Sequence, residues 1–217
     1  MKRPGQASIM FMQSMRTEVC AMKIITLCRE YGAGGHSIGR KVASELGIEI
    51  YDRDIIEQSA AALGIDPGQL EAEEEGISRR ETFLRAITPI SYERKDAMYD
   101  AECAVIRDLA KKGPCVFLGR CADAVLQEAG IDCFRVFLYG DEQHRSKRVG
   151  ELIGSTNPSE IQKALKKTDQ ARRSYYTHYT GRTWGDHTNF HLCLDTGVLG
   201  YDNCVRLICE AVKGMEE

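Results

Sequence analysis

A run of β-branched and apolar residues, Lys23–Cys28 (KIITLC), gives way to the glycine-rich stretch REYGAGGHSIGRK and then to VASEL. Nothing else in the chain narrows the fold as much. A short, continuous apolar run is the pattern of a strand buried on both faces, as in a parallel sheet. In Ser37–Leu46, Ile38, Val42, Ala43 and Leu46 recur at helical spacing, and Gly47 supplies a stop. A strand, a tight glycine turn and a helix therefore follow one another within 25 residues or so, about one βα unit. Such a turn turns backbone N–H groups toward the helix N-terminus, a setting that suits phosphate.

The remaining chain repeats the alternation. Ile48–Tyr51 reads as a second strand, YDRDIIEQSAAAL as a helix, and Asp66-Pro67-Gly68-Gln69 as a capped helix start. Residues 91–112 read as helix, Pro114–Leu118 and Arg135–Tyr139 as strands, and Asp141–Leu152 as an amphipathic helix. Asn157-Pro158-Ser159-Glu160 opens a long helix with a capping box, Leu192–Asp195 is a last strand and Tyr201–Val212 a closing helix. The pattern predicts an α/β fold of three layers, with a parallel sheet of about five strands and helices on both faces.

Composition removes several function classes. With 217 residues, 43% hydrophobic and 28% charged, the chain suits one full core and a small subdomain. A net charge of −3 argues against general nucleic-acid binding. The nine cysteines are scattered, without a C-x-x-C pair or metal-ligand spacing, and fit reduced thiols in a cytoplasmic protein. Residues 1–21 contain only a short apolar patch, Ile9–Met12, which is too short for a secretory core or a membrane span. They are expected to be a poorly ordered extension, with a single domain over 22–217 and no membrane partner.

The glycine loop matches two patterns in part. Against G-x-x-x-x-G-K-[ST], Gly32 and Gly34 fit the turn and Ser37 supplies a metal-facing hydroxyl. Arg29, however, stands at the first glycine and Gly35 at the lysine. Against a dinucleotide fingerprint, Gly32-x-Gly34-x-x-Ser37 with Asp52 also fits, except that Ser37 replaces a third Gly or Ala. Charged residues recur where open α/β sheets bind ligands, at the carboxyl ends of strands: Asp52, Arg53 and Asp54, then Arg120, then Asp141 with Arg145 and Arg148. The segment KKTDQARRSYYTHYTGRTWGD adds Lys166, Lys167, Arg172 and Arg173 on a helix, with Asp169 three residues before Arg172. Such a cluster fits a mobile basic lid over phosphates and has no use in hydride transfer.

Taken together, ITLCREYGAGGHSIGRKVA, YDRDII, FLGRCADAVL, VFLYGDEQHRSKRV and the D-x-x-R before YYTHYTGRTWGD resemble the cytidylate kinase-like family of P-loop nucleoside monophosphate kinases. The resemblance runs from Met22 to about Val212. It implies a parallel-sheet core, a helical acceptor-binding insert near 52–111 and a lid near 152–186. It also implies ATP and Mg2+ as cofactors, nucleotide substrates, and phosphoryl transfer to a nucleoside monophosphate, with CMP as one acceptor. By that resemblance Arg29, Gly32, Ala33, Gly34, Gly35, His36, Ser37 and Arg40 surround the donor phosphates, and Ser37 faces the metal. Asp52, Arg53, Gly119 and Arg120 fall on the acceptor side, and Arg172, oriented by Asp169, covers the transferring group. The missing lysine leaves Arg40, Lys41 and Arg29 as possible replacements. Two other readings stay open at this point: a degenerate kinase fold that senses nucleotides without turnover, and a dinucleotide-dependent oxidoreductase.

Overall fold

A computed structural model describes residues 24–52, Ile55, Gln58, Ala61, Ala62 and 89–215. The N-terminal extension, Arg53 and the helix expected to start at Asp66 lie outside the described residues. Five strands, β1 (Ile24–Arg29), β2 (Glu49–Tyr51), β3 (Cys115–Leu118), β4 (Phe134–Tyr139) and β5 (Leu192–Asp195), form one sheet in the order β2-β3-β1-β4-β5. Every pairing is parallel. A dinucleotide-binding sheet sets its second strand directly beside the first. Here β3 lies between them, so the oxidoreductase alternative loses its structural basis.

Side-chain alternation along the strands divides the core between the two faces of the sheet. Ile25, Leu27, Val116, Leu118, Val136 and Leu138 face one side, packed with Ile38 and Val42 of α1 (Gly35–Leu46) and with Val205 and Ile208 of the closing helix. Ile24, Cys115 and Phe117 face the other, against Ile106 and Leu109 of α2 (Pro89–Ala110) and Val125 and Leu126 of α3 (Ala122–Glu128). Burying each such side chain contributes about 1.5–3 kcal/mol, which is why a strand apolar on both sides settles at the centre of the sheet.

Further helices are α4 (Glu142–Ile153), α5 (Pro158–Thr180), the short α6 (Thr196–Leu199) and α7 (Tyr201–Gly214). Asp141 caps α4 by accepting the His144 N–H at 2.7 Å, and Asn157 caps α5 by accepting the Ser159 N–H at 3.0 Å. The expected capping box at α5 is only half made, because the Glu160 carboxylate instead accepts the Ser155 hydroxyl at 2.5 Å. Helix α3 has no counterpart in the sequence-based expectation. It is seven residues long and no side chain caps it; a left-handed run at Gly119, Arg120 and Cys121 turns the chain into it. Among the described residues no helix is long and apolar enough to cross a membrane.

Candidate active site

The loop between β1 and α1 forms one wall of a cleft lined by Arg29, Tyr31, Gly32, Gly34, Gly35, His36, Ser37, Arg148, Leu152 and Arg172. Gly34 is the cap of α1 and takes φ +75°, where its neighbour Tyr201 leaves no room for a side chain: a Cβ there would lie 2.3 Å from the ring. No side chain caps α1. The first-turn N–H groups of Gly35, His36 and Ser37 therefore point into the cleft end without an intrahelical partner. The Ala33 N–H is already used, bonded to the Glu30 carbonyl at 3.2 Å, and Ala33 is fully buried.

Helix α5 sits across the loop and presents two of the expected residues to it. Arg172 Nη1 donates to the Arg29 carbonyl at 3.0 Å, and its guanidinium lies 5.6 Å from the centre of the Tyr31 ring. Burial, then the nearby charge of Arg29, presses its pKa down to about 10. Asp169 does not hold Arg172. Its carboxylate accepts the Tyr31 N–H at 2.7 Å and Arg145 Nη1 at 2.6 Å. Arg145 reaches further, to the Gly140 carbonyl at 3.0 Å, the Tyr31 carbonyl at 3.1 Å and Glu30 at 3.2 Å. Burial raises the Glu30 carboxyl above its ordinary range, and Arg145 pulls it part of the way back. The D-x-x-R spacing thus puts both groups over the loop, with the acid serving the loop backbone directly at the Tyr31 N–H and through Arg145 at the Tyr31 carbonyl.

The other members of the basic cluster face elsewhere. Lys166, Lys167 and Arg173 are exposed, and the Arg173 guanidinium lies 5.7 Å from the Trp184 ring centre. Arg40 is exposed and Lys41 pairs with Asp202 on α7 at 2.6 Å, so neither lines the cleft. Gly35 and Arg29 account for each other. A Cβ at position 35 would lie 2.6 Å from Arg29 Cγ, and a Cβ at position 119 would lie 2.2 Å from Arg29 Nη1. The Arg29 side chain thus runs from the loop toward the end of β3, with Nη2 at 3.9 Å from Asp52 at the end of β2. His36 also approaches Asp52, at 3.5 Å.

At the end of β3 the backbone is left-handed at Gly119, Arg120 and Cys121, with φ of 75°, 56° and 53°. Two of these residues carry side chains, so the turn holds strain of the kind concentrated at functional sites. Arg120 Nη1 pairs with Glu102 of α2 at 3.3 Å, and the hydroxyl of Tyr175 on α5 donates to the other oxygen of the same carboxylate. Tyr99 of α2 stacks on Tyr179 of α5 with ring centres 4.0 Å apart. Neither Glu102 nor Tyr175 was singled out by the sequence. The signal was present for Glu102, which shares a helix face with Tyr99 and the fully buried Ile106 and is itself 2% exposed.

The sequence matches the model of the cytidylate kinase-like family over residues 24–198. The chain belongs to that family. Curated proteins give no match. Among solved structures, an uncharacterized protein from Eubacterium ventriosum ATCC 27560 superposes with a TM-score of 0.68 at 23% identity, over 88% of this chain and 99% of that one. A gluconokinase from Sinorhizobium meliloti 1021 gives 0.54 at 17% identity, over 89% and 93%. A shikimate kinase from Acinetobacter baumannii, in complex with shikimate, gives 0.51 at 18% identity, over 93% and 97%. These likenesses show the fold: a family member built on the P-loop kinase sheet.

Proposed function

We propose that the protein transfers the γ-phosphoryl group of ATP to a nucleoside monophosphate, with CMP the first acceptor to test. The observation that carries this reading is a single cleft lined by the first turn of α1, Ser37, Arg29 at the end of β1 and Arg172 of α5. Unpartnered α1 amides and Ser37 form the donor wall, Arg172 reaches in from α5, and Arg29 runs from the cleft toward Gly119 at the end of β3 and Asp52 at the end of β2. Phosphoryl transfer asks a protein mainly to position its partners and to offset charge, and this cleft concentrates groups of both kinds.

In this reading the first-turn amides of Gly35, His36 and Ser37 hold the donor phosphates and Arg172 covers the transferring group. Asp169 is a positioning residue for the loop rather than a contact. Arg120 meets the acceptor phosphate, with Asp52 as a second acceptor-side residue. Among the described residues no group of three or more His, Cys, Asp or Glu could hold a metal by itself. Magnesium suits the site on chemical grounds, since it takes one or two protein oxygens and completes its shell with water and phosphate. The Ser37 hydroxyl is its proposed protein ligand. When bound, the ion neutralises charge on the donor phosphates.

The test is ADP formation from ATP and magnesium with a panel of nucleoside monophosphates, alongside gluconate and shikimate. Turnover of CMP or another nucleoside monophosphate is the expected outcome. Turnover restricted to a sugar acid or shikimate would reassign the acceptor. Nucleotide binding without turnover of any acceptor would replace the kinase reading by a sensor.

A further inference from the structure

The loop departs from the phosphate-loop pattern twice, with Arg29 at the first glycine and Gly35 at the lysine. In three dimensions these are one departure. The Arg29 side chain fills the space beside position 35 so closely that Cγ, Cβ and Cδ would lie 2.6, 3.1 and 3.2 Å from a Cβ there. A side chain at position 35 would force the Arg29 side chain out of this path. The cation has moved from the first turn of α1 to the last residue of β1, and glycine at 35 is the condition for that move.

We propose that Arg29 is the phosphate-binding cation of the transfer reaction, taking the place of the loop lysine and touching the donor's β–γ linkage. The inference rests on the kinase reading. Its side chain is 18% exposed, lines the cleft, and runs from the α1 amides to Gly119 and Asp52. That path crosses from the donor wall to the acceptor wall, where the transferring group must pass. Its partner Asp52 stands 3.9 Å from Nη2, a loose pair that phosphate oxygens can displace. A guanidinium offers a planar fork of donors, whereas an ammonium is a point charge, so one residue can meet two oxygens at once. As the acceptor oxygen bonds to Pγ, the Pγ–O bond to ADP breaks and its electron pair stays on the β-phosphate oxygen. The Arg29 guanidinium offsets the charge arriving there.

A swap of the two positions provides the test. Wild type, Arg29→Gln, Arg29→Lys, Gly35→Lys and the double variant Arg29→Gly/Gly35→Lys are compared for ATP and AMP binding by calorimetry, for turnover, and for melting temperature. Arg29→Gln is expected to weaken ATP binding by about tenfold to 100-fold, the worth of one charge-assisted contact, and to leave AMP binding and melting temperature unchanged. Arg29→Lys keeps the charge and retains most of the affinity. Gly35→Lys alone meets the Arg29 side chain and lowers the melting temperature, while the double variant recovers it together with at least tenfold of the ATP affinity. ATP binding by Arg29→Gln equal to wild type overturns the proposal, whatever the swap variants do. A wild type that turns over no acceptor yet binds ATP through Arg29 sinks the kinase reading and leaves this assignment standing. Undiminished turnover in Arg29→Gln does the reverse.

Discussion

Replacing Arg172 by alanine separates a ligand contact from a structural tie, because the two parts of the change have different sizes. On the stability side, the variant loses the hydrogen bond to the Arg29 carbonyl at 3.0 Å, worth about 1.5–3 kcal/mol for a charged donor. It also loses the packing of the guanidinium against Tyr31 at 5.6 Å, worth about 0.5–1 kcal/mol. Two effects oppose this loss. Burial and the like charge of Arg29 both act against the charged form of Arg172, as its pKa of about 10 records. The net change is about 0–2 kcal/mol, or a fall of a few degrees in melting temperature for a chain of this size.

On the binding side nothing opposes the loss. Phosphate would relieve the repulsion between Arg29 and Arg172, so deleting Arg172 removes a charge-assisted contact outright. The expected result is ATP affinity lower by about 10- to 150-fold and kcat lower by about 100-fold or more, with AMP affinity nearly unchanged. Calorimetric titration with ATP and magnesium, paired with thermal unfolding, reads both parts. Arg173→Ala is the comparison, since that side chain is exposed beside Trp184 and outside the cleft. Wild-type ATP affinity in Arg172→Ala, or an equal loss in Arg173→Ala, would refute the reasoning.

Three further outcomes follow from the same contacts. Asp169→Ala removes the acceptor of the Tyr31 N–H and leaves Arg145, 12% exposed, with Glu30 as its remaining carboxylate, so melting should fall by about 10 °C; a fall under about 2 °C would show that the loop does not depend on this tie. Ser37→Ala should weaken the magnesium-dependent part of ATP binding and leave binding in chelator unchanged, as read by titrations with and without the ion. The Asp123 carboxyl is raised by burial, against the pull of the Tyr176 hydroxyl, which donates to it at 2.6 Å. Its stabilising contribution is therefore complete below the ordinary carboxylate range, near pH 4, and is lost as pH rises through the raised folded value. Asp123→Asn has no proton to lose, so its stability relative to wild type should climb with pH over that window in denaturant titrations; a constant difference would contradict the assignment.

Burial dominates the fold, and burial leaves a sequence signature. KIITLC, PCVFL and RVFLY are legible as interior strands because each face of a central parallel strand is apolar, and the structure places them as β1, β3 and β4. Helix α3 was not legible, since its start depends on three successive left-handed residues, two of which give no glycine signal. At the site, the glycines and Ser37 could be placed because the loop is local in sequence. The exchange between Arg29 and Gly35 could not, because it depends on which way a long side chain turns after the strand ends. Asp169 shows a further limit. Three residues from Arg172 it shares the same helix face, yet Arg145 and the Tyr31 amide, both distant in sequence, hold its carboxylate.

What ties these contacts together is a single stripe along α5. Asp169, Arg172, Tyr175 or Tyr176, and Tyr179 recur at intervals of three or four residues and so share one face of the helix. The stripe is ordered in space. Asp169 and Arg172 touch the glycine loop, Tyr175 holds Glu102, and Tyr179 stacks on Tyr99 of α2. At a rise of about 1.5 Å per residue these ten steps cover about 15 Å, from the glycine loop to α2. A helix transmits tilt along its length, so a shift that moves Arg172 relative to the loop also moves Tyr175 relative to Glu102. Glu102 is the carboxylate that holds Arg120. In the proposed reading an anion drawn to Arg120 competes with Glu102, whose carboxylate also accepts the Tyr175 hydroxyl. Arg172 beside the glycine loop and Arg120 at the end of β3 are thus tied to neighbouring turns of one helix, the first directly and the second through Glu102 and Tyr175.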